Sequence, residues 1–359
     1  MSPLRWLRKS GRHLLLGLVR LLLPARGQGG LVDPDRIRRV LLLRVDPRLG
    51  NVLLTTPLAR ALKKGLPEAQ LHWLVASRFR QAVEGLSFVD VVIPFDKGDF
   101  FLRPWRFWRL ISSLRRGQYD VAVDASHWHA FSLTSAALTL ASGAPVRIGH
   151  DRGASPRFLT HSVVHQSEHS SDIDAKLELL EPLRLAAAGR QLETGMGSGR
   201  GSQDHIRDLL SHAGVPGGPQ IALNPGGRKA DHRWSARGFG AVARRLAQAG
   251  RIPVVYWGPG EEPIAREVVA ASAGAAHLAP RTDVAQLAAA FRVSEWVVTN
   301  DTGPMHLAAA VGARTVAIGL TSDAGRWFHD QPGFVSVDAD GLDETVDRII
   351  GAIQITTSG

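Results

Sequence analysis

Apolar residues in this chain gather in short unbroken runs rather than alternating with polar ones. A first series comprises Val40 to Val45, Gln70 to Val75, Val89 to Ile93 and Asp120 to Asp124. A second comprises Ile221 to Asn224, Ile252 to Trp257, Glu295 to Thr299 and Thr315 to Ile318. Between them lie stretches with helical spacing, such as Pro57 to Lys64 and Phe239 to Ala249, and Leu342 to Ile353 reads as a closing amphipathic helix. Strands that are apolar on both sides and separated by helices belong to parallel sheets covered on both faces. Two such series predict an α/β protein of two Rossmann-like, doubly wound domains. The expected division is a leader over 1–35, a first domain over 36–190, a linker region over 191–218, and a second domain with its closing helix over 219–359. The linker includes Gly195-Met196-Gly197-Ser198-Gly199-Arg200-Gly201-Ser202. It mimics a dinucleotide-binding fingerprint, but no strand precedes it, so a binding role is rejected.

Open α/β sheets bind ligands at the carboxyl ends of their strands, and four loops qualify. The most informative is Asn300-Asp301-Thr302-Gly303-Pro304-Met305-His306, where a strand ends, turns and starts a helix. Thr302 or Asp301 is expected to cap that helix, and Pro304 suits its first turn. A helix start attracts anions through its dipole and unpaired N–H groups. Gly303 admits a ligand close to the backbone, and His306 adds a donor for a phosphate oxygen. An ordinary capped helix with a surface histidine is the competing reading. The loop Asn224 to Trp234 is glycine-rich through Gly226 and Gly227, then basic through Lys229, His232 and Arg233, which suits a diphosphate; a solvated basic turn is the alternative. After Trp257, Glu262 is either an acceptor for a ribose diol or a first-turn helix acid. The fourth loop is Asp46 to Asn51.

Composition narrows the partners. The 359 residues hold no cysteine, which excludes disulfides and thiolate metal sites. A formal net charge of +10 calls for acidic partners. Residues 1 to 32 carry Arg5, Arg8, Lys9, Arg12, Arg20 and Arg26 around a leucine-rich run and no acid. Arg20 interrupts the run, so it does not read as a membrane span. A basic amphipathic helix on the cytoplasmic face of a membrane is favoured, with a signal peptide or an unstructured leader as alternatives. Phe100 to Leu110 interleaves aromatics, Trp105 and Trp108 among them, with Arg103, Arg106 and Arg109, and Arg115-Arg116 follow. That pattern suits an anionic membrane surface carrying phosphorylated lipid. It also suits single-stranded nucleic acid, or a helix whose aromatics are core.

Taken in order, four segments resemble one family. They are Val40 to Pro57 (Val-Leu-Leu-Leu-Arg-Val-Asp-Pro-Arg-Leu-Gly-Asn-Val-Leu-Leu-Thr-Thr-Pro), Tyr119 to Ala125, Asn224-Pro225-Gly226 followed by Arg233-Trp234, and Asp301 to His306. The chain is similar, over residues 38 to 330, to glycosyltransferase family 9, the bacterial heptosyltransferases of the lipopolysaccharide core. The resemblance implies a GT-B fold, two Rossmann-like domains facing across a cleft. It implies an inverting, metal-independent transfer, without a cofactor, from a nucleotide-sugar such as ADP-heptose to a lipid-linked acceptor. It implies a cytoplasmic enzyme peripheral to the membrane, expected to be a monomer, and it turns the reading away from nucleic acid. Position by position, Asp301, Thr302, Gly303 and His306 match the donor-diphosphate motif, joined by Gly226, His232 and Arg233. Glu262 matches the donor-ribose position, and Arg48 falls on the acceptor side. His232 stands where many members have lysine. Asn51 stands where typical members have the aspartate that accepts the acceptor hydroxyl's proton, and asparagine lacks the basicity for this. Asp46, the acceptor phosphates and a solvent water are the candidate replacement bases, and a turn residue before Pro47 is the competing reading of Asp46. The alternative is a non-catalytic descendant that binds nucleotide-sugar or glycolipid.

Overall fold

The computed structural model describes residues 29, 30, 32–166, 171–320, 329 and 331–355. The basic leader expected over 1–35 falls almost wholly outside them. The chain divides into two compact units. The first holds the described residues up to Pro47, then Leu58–Arg80 and Ser87–Ala188. The second holds Arg48–Pro57, Gln81–Leu86 and the described residues from Gly189 onward. The segment containing Asn51 thus groups with the second unit, although it lies early in the chain.

The first unit is built on strands β1 (Arg39–Arg44), β2 (Gln70–Ala76), β3 (Val91–Phe95), β4 (Val121–Asp124), β5 (Val146–His150) and β6 (His161–Val163). They form one parallel sheet in the order β3-β2-β1-β4-β5-β6. The second unit repeats the pattern with β7 (Gln220–Asn224), β8 (Ile252–Val255), β9 (His277–Leu278), β10 (Trp296–Asn300), β11 (Thr315–Gly319) and β12 (Phe334–Asp338). Its order, β12-β11-β10-β7-β8-β9, is the same doubly wound arrangement. In each sheet the chain starts in the middle, winds to one side, and returns to wind to the other. That creates a switch point between β1 and β4, and another between β7 and β10, where loops diverge and leave a crevice.

Burial explains why the strands are so uniformly apolar. The central strands β4, β10 and β11 are buried at every position. The edge strand β3 is only partly buried and tolerates Pro94, whose missing N–H is least harmful at an edge. In the second unit the helix Ala236–Gln248 presents Phe239, Val242, Ala243 and Leu246 to a core that includes Trp296, Val298, Val316 and Ile349. Each fully buried aliphatic side chain contributes roughly 1.5–3 kcal/mol. Within the stretch expected as a linker, Arg200–His212 is a regular helix. Arg292 donates to the carbonyls of Thr194 and Met196 at 3.0 and 3.2 Å and ties the preceding segment down.

Candidate active site

The switch point of the second sheet gathers the predicted diphosphate residues. Thr299 on β10 is in register with Asn224 on β7, so the loops that leave both strands start side by side. Asn300, fully buried, links them. Its Nδ2 donates to the carbonyls of Pro225 and Gly226 at 2.8 and 3.3 Å, and its Oδ1 accepts from the Trp234 N–H at 3.0 Å. One side chain therefore fixes both ends of the Pro-Gly-Gly loop. Arg233 Nε donates to the Gly227 carbonyl, closing the loop on itself.

A second clamp comes from Glu261. Its carboxylate accepts from the Gly227 N–H at 2.9 Å and from the Gly258 N–H at 3.0 Å. A Cβ at residue 226 would stand 2.1 Å from Glu261 Oε2, so a larger residue there would push the carboxylate away from these N–H groups. Its neighbour Glu262 opens the helix Glu262–Ala271 and pairs with Arg266 one turn on, at 2.6 Å. Sequence reading singled out Glu262 and missed both Glu261 and the linking role of Asn300. The only signal for the latter was a polar residue at the end of an apolar strand.

Thr302 is the N-cap residue of the helix Gly303–Ala310, but neither it nor Asp301 caps the helix. The Thr302 hydroxyl instead donates to the Asn300 carbonyl at 3.3 Å. The expected side-chain cap is therefore corrected: the Met305 N–H goes to the Thr302 carbonyl at 3.1 Å, Pro304 has no N–H, and no side chain of the cap residue takes the Gly303 N–H. Burial pushes the Asp301 carboxyl up to about 6, with His232 pulling the other way. His306 is buried on the first turn, its Nδ1 2.9 Å from Nε2 of His329. Burial pulls His329 down to about 4, so that ring is neutral near neutral pH, and one imidazole of the pair donates while the other accepts. The short helix Leu49–Leu53 packs on the same element: a Cβ at Gly50 would stand 2.4 Å from His306 Cδ2. Asn51, buried, sits beside Gly50 in that helix. Among the residues grouped for the donor, the structure thus brings Gly226, Arg233, Asp301, Thr302, Gly303 and His306 to one end of one sheet. His232 ends a short 3-10 turn, Ala230–His232, in the same loop.

The first unit has a cavity of about 680 Å³ at its own switch point. The loop after β1 supplies Asp46, the loop after β4 supplies Ser126 and His127, and Arg44, Arg78 and Lys97 add positive charge. Beneath it lies a buried polar network that sequence reading did not anticipate. Arg44 donates to the Ala125 carbonyl at 2.6 Å, and its Nη2 lies 3.2 Å from His127 Nε2. A guanidinium can only donate, so Nε2 is the acceptor and the ring proton sits on Nδ1, 3.7 Å from Asp172 Oδ1. The same Nε2 lies 3.5 Å from Asp46 Oδ2. Asp172 is paired with buried Lys176. Burial alone would push the Asp172 carboxyl up; Lys176, His127 and Arg44 outweigh it and hold it well below the usual range. Burial pulls Lys176 down to about 8, against the opposing pull of Asp172. Asp46 therefore stands at the cavity wall against a histidine whose tautomer and tilt are fixed from behind.

Residues 107–329 match the family model described as glycosyltransferase family 9 (heptosyltransferase). The chain belongs to glycosyltransferase family 9. Among curated relatives, it is 26% identical over 291 residues to lipopolysaccharide heptosyltransferase 3 of Escherichia coli, covering 77% of this chain and 82% of that one. It is 25% identical to lipopolysaccharide heptosyltransferase 1 of Pseudomonas aeruginosa, covering 78% of each. Among solved structures, the family 9 glycosyltransferase from Veillonella parvula shares 21% identity with a TM-score of 0.76, over 89% of this chain and 96% of that one. The E. coli ADP-heptose lipopolysaccharide heptosyltransferase II shares 19% identity with a TM-score of 0.72, over 89% and 99%. The fold is accordingly that of the GT-B enzymes, and the family 9 chain is a glycosyltransferase.

Proposed function

We propose that this family 9 enzyme transfers a heptose or related sugar from an ADP-heptose-like donor to a lipopolysaccharide core or another glycolipid, with inversion at the anomeric carbon. The relatives' names support the donor and acceptor class. The observation that supports the reading most is the uncapped helix start at Gly303, next to a glycine loop held open by Asn300 and Glu261. Such a helix start offers its dipole and the Gly303 N–H to a diphosphate.

In this reading Gly226, His232, Arg233, Asp301, Thr302, Gly303 and His306 hold the donor diphosphate. Glu262, whose carboxylate pairs with Arg266, takes the ribose. The acceptor hydroxyl oxygen attacks the anomeric carbon from the face opposite the diphosphate. The bond to the diphosphate oxygen breaks, and the leaving nucleoside diphosphate keeps the electron pair. Asp46 takes the hydroxyl proton, because Asn51 has no basicity to offer. Arg48 contacts the acceptor.

The test is nucleoside diphosphate release, measured with ADP-heptose and with core acceptors lacking successive sugars. No turnover with any pair, despite donor binding, sinks the reading. Asp46→Asn is expected to slow turnover by about 10²–10⁴-fold with little change in donor affinity. Full activity of that variant would remove Asp46 as the base. A large gain from Asn51→Asp would instead locate the missing basicity at residue 51.

A further inference from the structure

The helix Pro104–Arg116 sends Phe107, Leu110, Ile111 and Leu114 toward the core of the first unit, at the i, i+3, i+4, i+7 spacing of a half-buried helix. With that stripe satisfied, a further set of large apolar side chains has no interior to fill. Phe101 is 79% exposed, Leu102 78% and Trp108 67%, and Phe100 and Trp105 are more than half exposed. Eight large hydrophobic residues are exposed among the described residues, and these five fall within nine consecutive positions. Single exposed apolar residues are ordinary; a contiguous set marks a surface made to be covered. The patch is also pre-formed: Phe100 stacks edge-on against Phe101 at 4.7 Å and against the inward Phe107 at 5.0 Å.

Charge identifies what covers it. Residues 100–116 carry Arg103, Arg106, Arg109, Arg115 and Arg116, all exposed, and no acidic residue. Asp99, just before the patch, pairs with Arg103 at 3.7 Å. A protein partner offers a surface of mixed sign, whereas an anionic bilayer offers a plane of phosphates above an apolar layer. Tryptophan and arginine side by side match that layering, the indole at the headgroup boundary and the guanidinium on phosphate oxygens.

We propose that residues 100–116 are a membrane-docking element that seats the first unit on an anionic lipid surface. The aromatic and leucine side chains enter the boundary between headgroups and acyl chains, and the arginines pair with lipid phosphates. No helix among the described residues is long and apolar enough to cross a membrane, so this contact lies in the plane of the interface. The position is apt for a lipid-borne substrate: Phe95, Asp96 and Lys97 line the Asp46 cavity, and the docking element begins three residues later, at Phe100. The proposal does not depend on which sugar is moved.

The test uses the full chain without donor or acceptor, so that its failure and a failure of sugar transfer are separate results. Because the chain has no cysteine, Phe101→Cys carries a single environment-sensitive fluorophore, and Ser211→Cys serves as the exposed control. With vesicles of phosphatidylglycerol in phosphatidylcholine, the label at 101 should shift to the blue and the one at 211 should not. Neither should respond to phosphatidylcholine alone. Replacing Arg106, Arg109 and Arg116 by Gln together should weaken partitioning by about a hundredfold at low salt. A label at 101 that stays in water while the protein floats with vesicles overturns the proposal, because another segment then does the binding. So does a Trp105→Ser/Trp108→Ser variant that turns a dimer into a monomer, or loses RNA retention, with vesicle binding unchanged.

Discussion

Asn300→Asp isolates the residue that joins the loops after β7 and β10. The substitution keeps the shape and the acceptor for the Trp234 N–H but replaces the Nδ2 donor by an oxygen. The Pro225 and Gly226 carbonyls, 2.8 and 3.3 Å away and both in buried residues, then face a carboxylate. Leaving a buried polar group unpaired costs about 1–3 kcal/mol, and the second contact is long, so a total of about 2–4 kcal/mol is expected. In a unit of this size each kcal/mol moves the melting temperature by about 2–4 °C, giving a drop of about 4–16 °C. The new carboxyl is disfavoured as an anion, so its folded pKa lies above its unfolded one. Its protonated form also restores a donor toward the carbonyls. The penalty should therefore be largest near pH 8 and shrink toward pH 5, about where such a buried acid regains its proton. Differential scanning fluorimetry across that range, with ADP titration alongside, is the assay. ADP affinity should fall by about tenfold or more, since the loop carrying Gly226 and Arg233 is released. A variant that melts within a degree or so of the parent and binds ADP equally well would refute the claim that Asn300 holds this loop.

Two further predictions concern neighbouring residues. Gly50→Ala places a Cβ 2.4 Å from His306 Cδ2, so it should destabilise the second unit by about 1–3 kcal/mol and weaken ADP binding together; unchanged melting and affinity would show that His306 relaxes freely. Asp301 has a folded pKa raised to about 6 by burial, so its contribution to stability is fully present below its unfolded pKa and is lost as pH rises through about 6. Asp301→Asn should therefore melt higher than the parent near pH 8, and the gap should close by about pH 4; a pH-independent difference would contradict the raised pKa.

Much of the fold was legible because the signals are local. Doubly covered parallel strands must be apolar on both sides, and every run read from Val40 to Ile318 is a strand to within a few residues at its ends. The short edge strands β6 and β9 carry no such pattern, since a three- or two-residue strand at an edge buries little. The inward stripe at 107, 110, 111 and 114 was likewise open to a periodicity argument. It puts Phe107 against the core and leaves Trp105 and Trp108 outside it.

By itself the sequence determined two βα series, the loops at their carboxyl ends and, through the order of four motifs, the family. It also determined that residue 51 cannot act as a base, because that follows from amide chemistry alone. Only the tertiary structure decided that Glu261 rather than Glu262 clamps the glycine loop, that Asn300 joins that loop to Trp234, and that Thr302 leaves its helix uncapped. It alone brought Arg44, Asp46, His127, Asp172 and Lys176, from separate parts of the chain, into one network beside a cavity. The reason is physical: strand and helix propensity depend on neighbours in sequence. Which buried donor meets which acceptor depends on sheet order and register, and these join residues as far apart as Arg44 and His127 with no trace in the spacing between them.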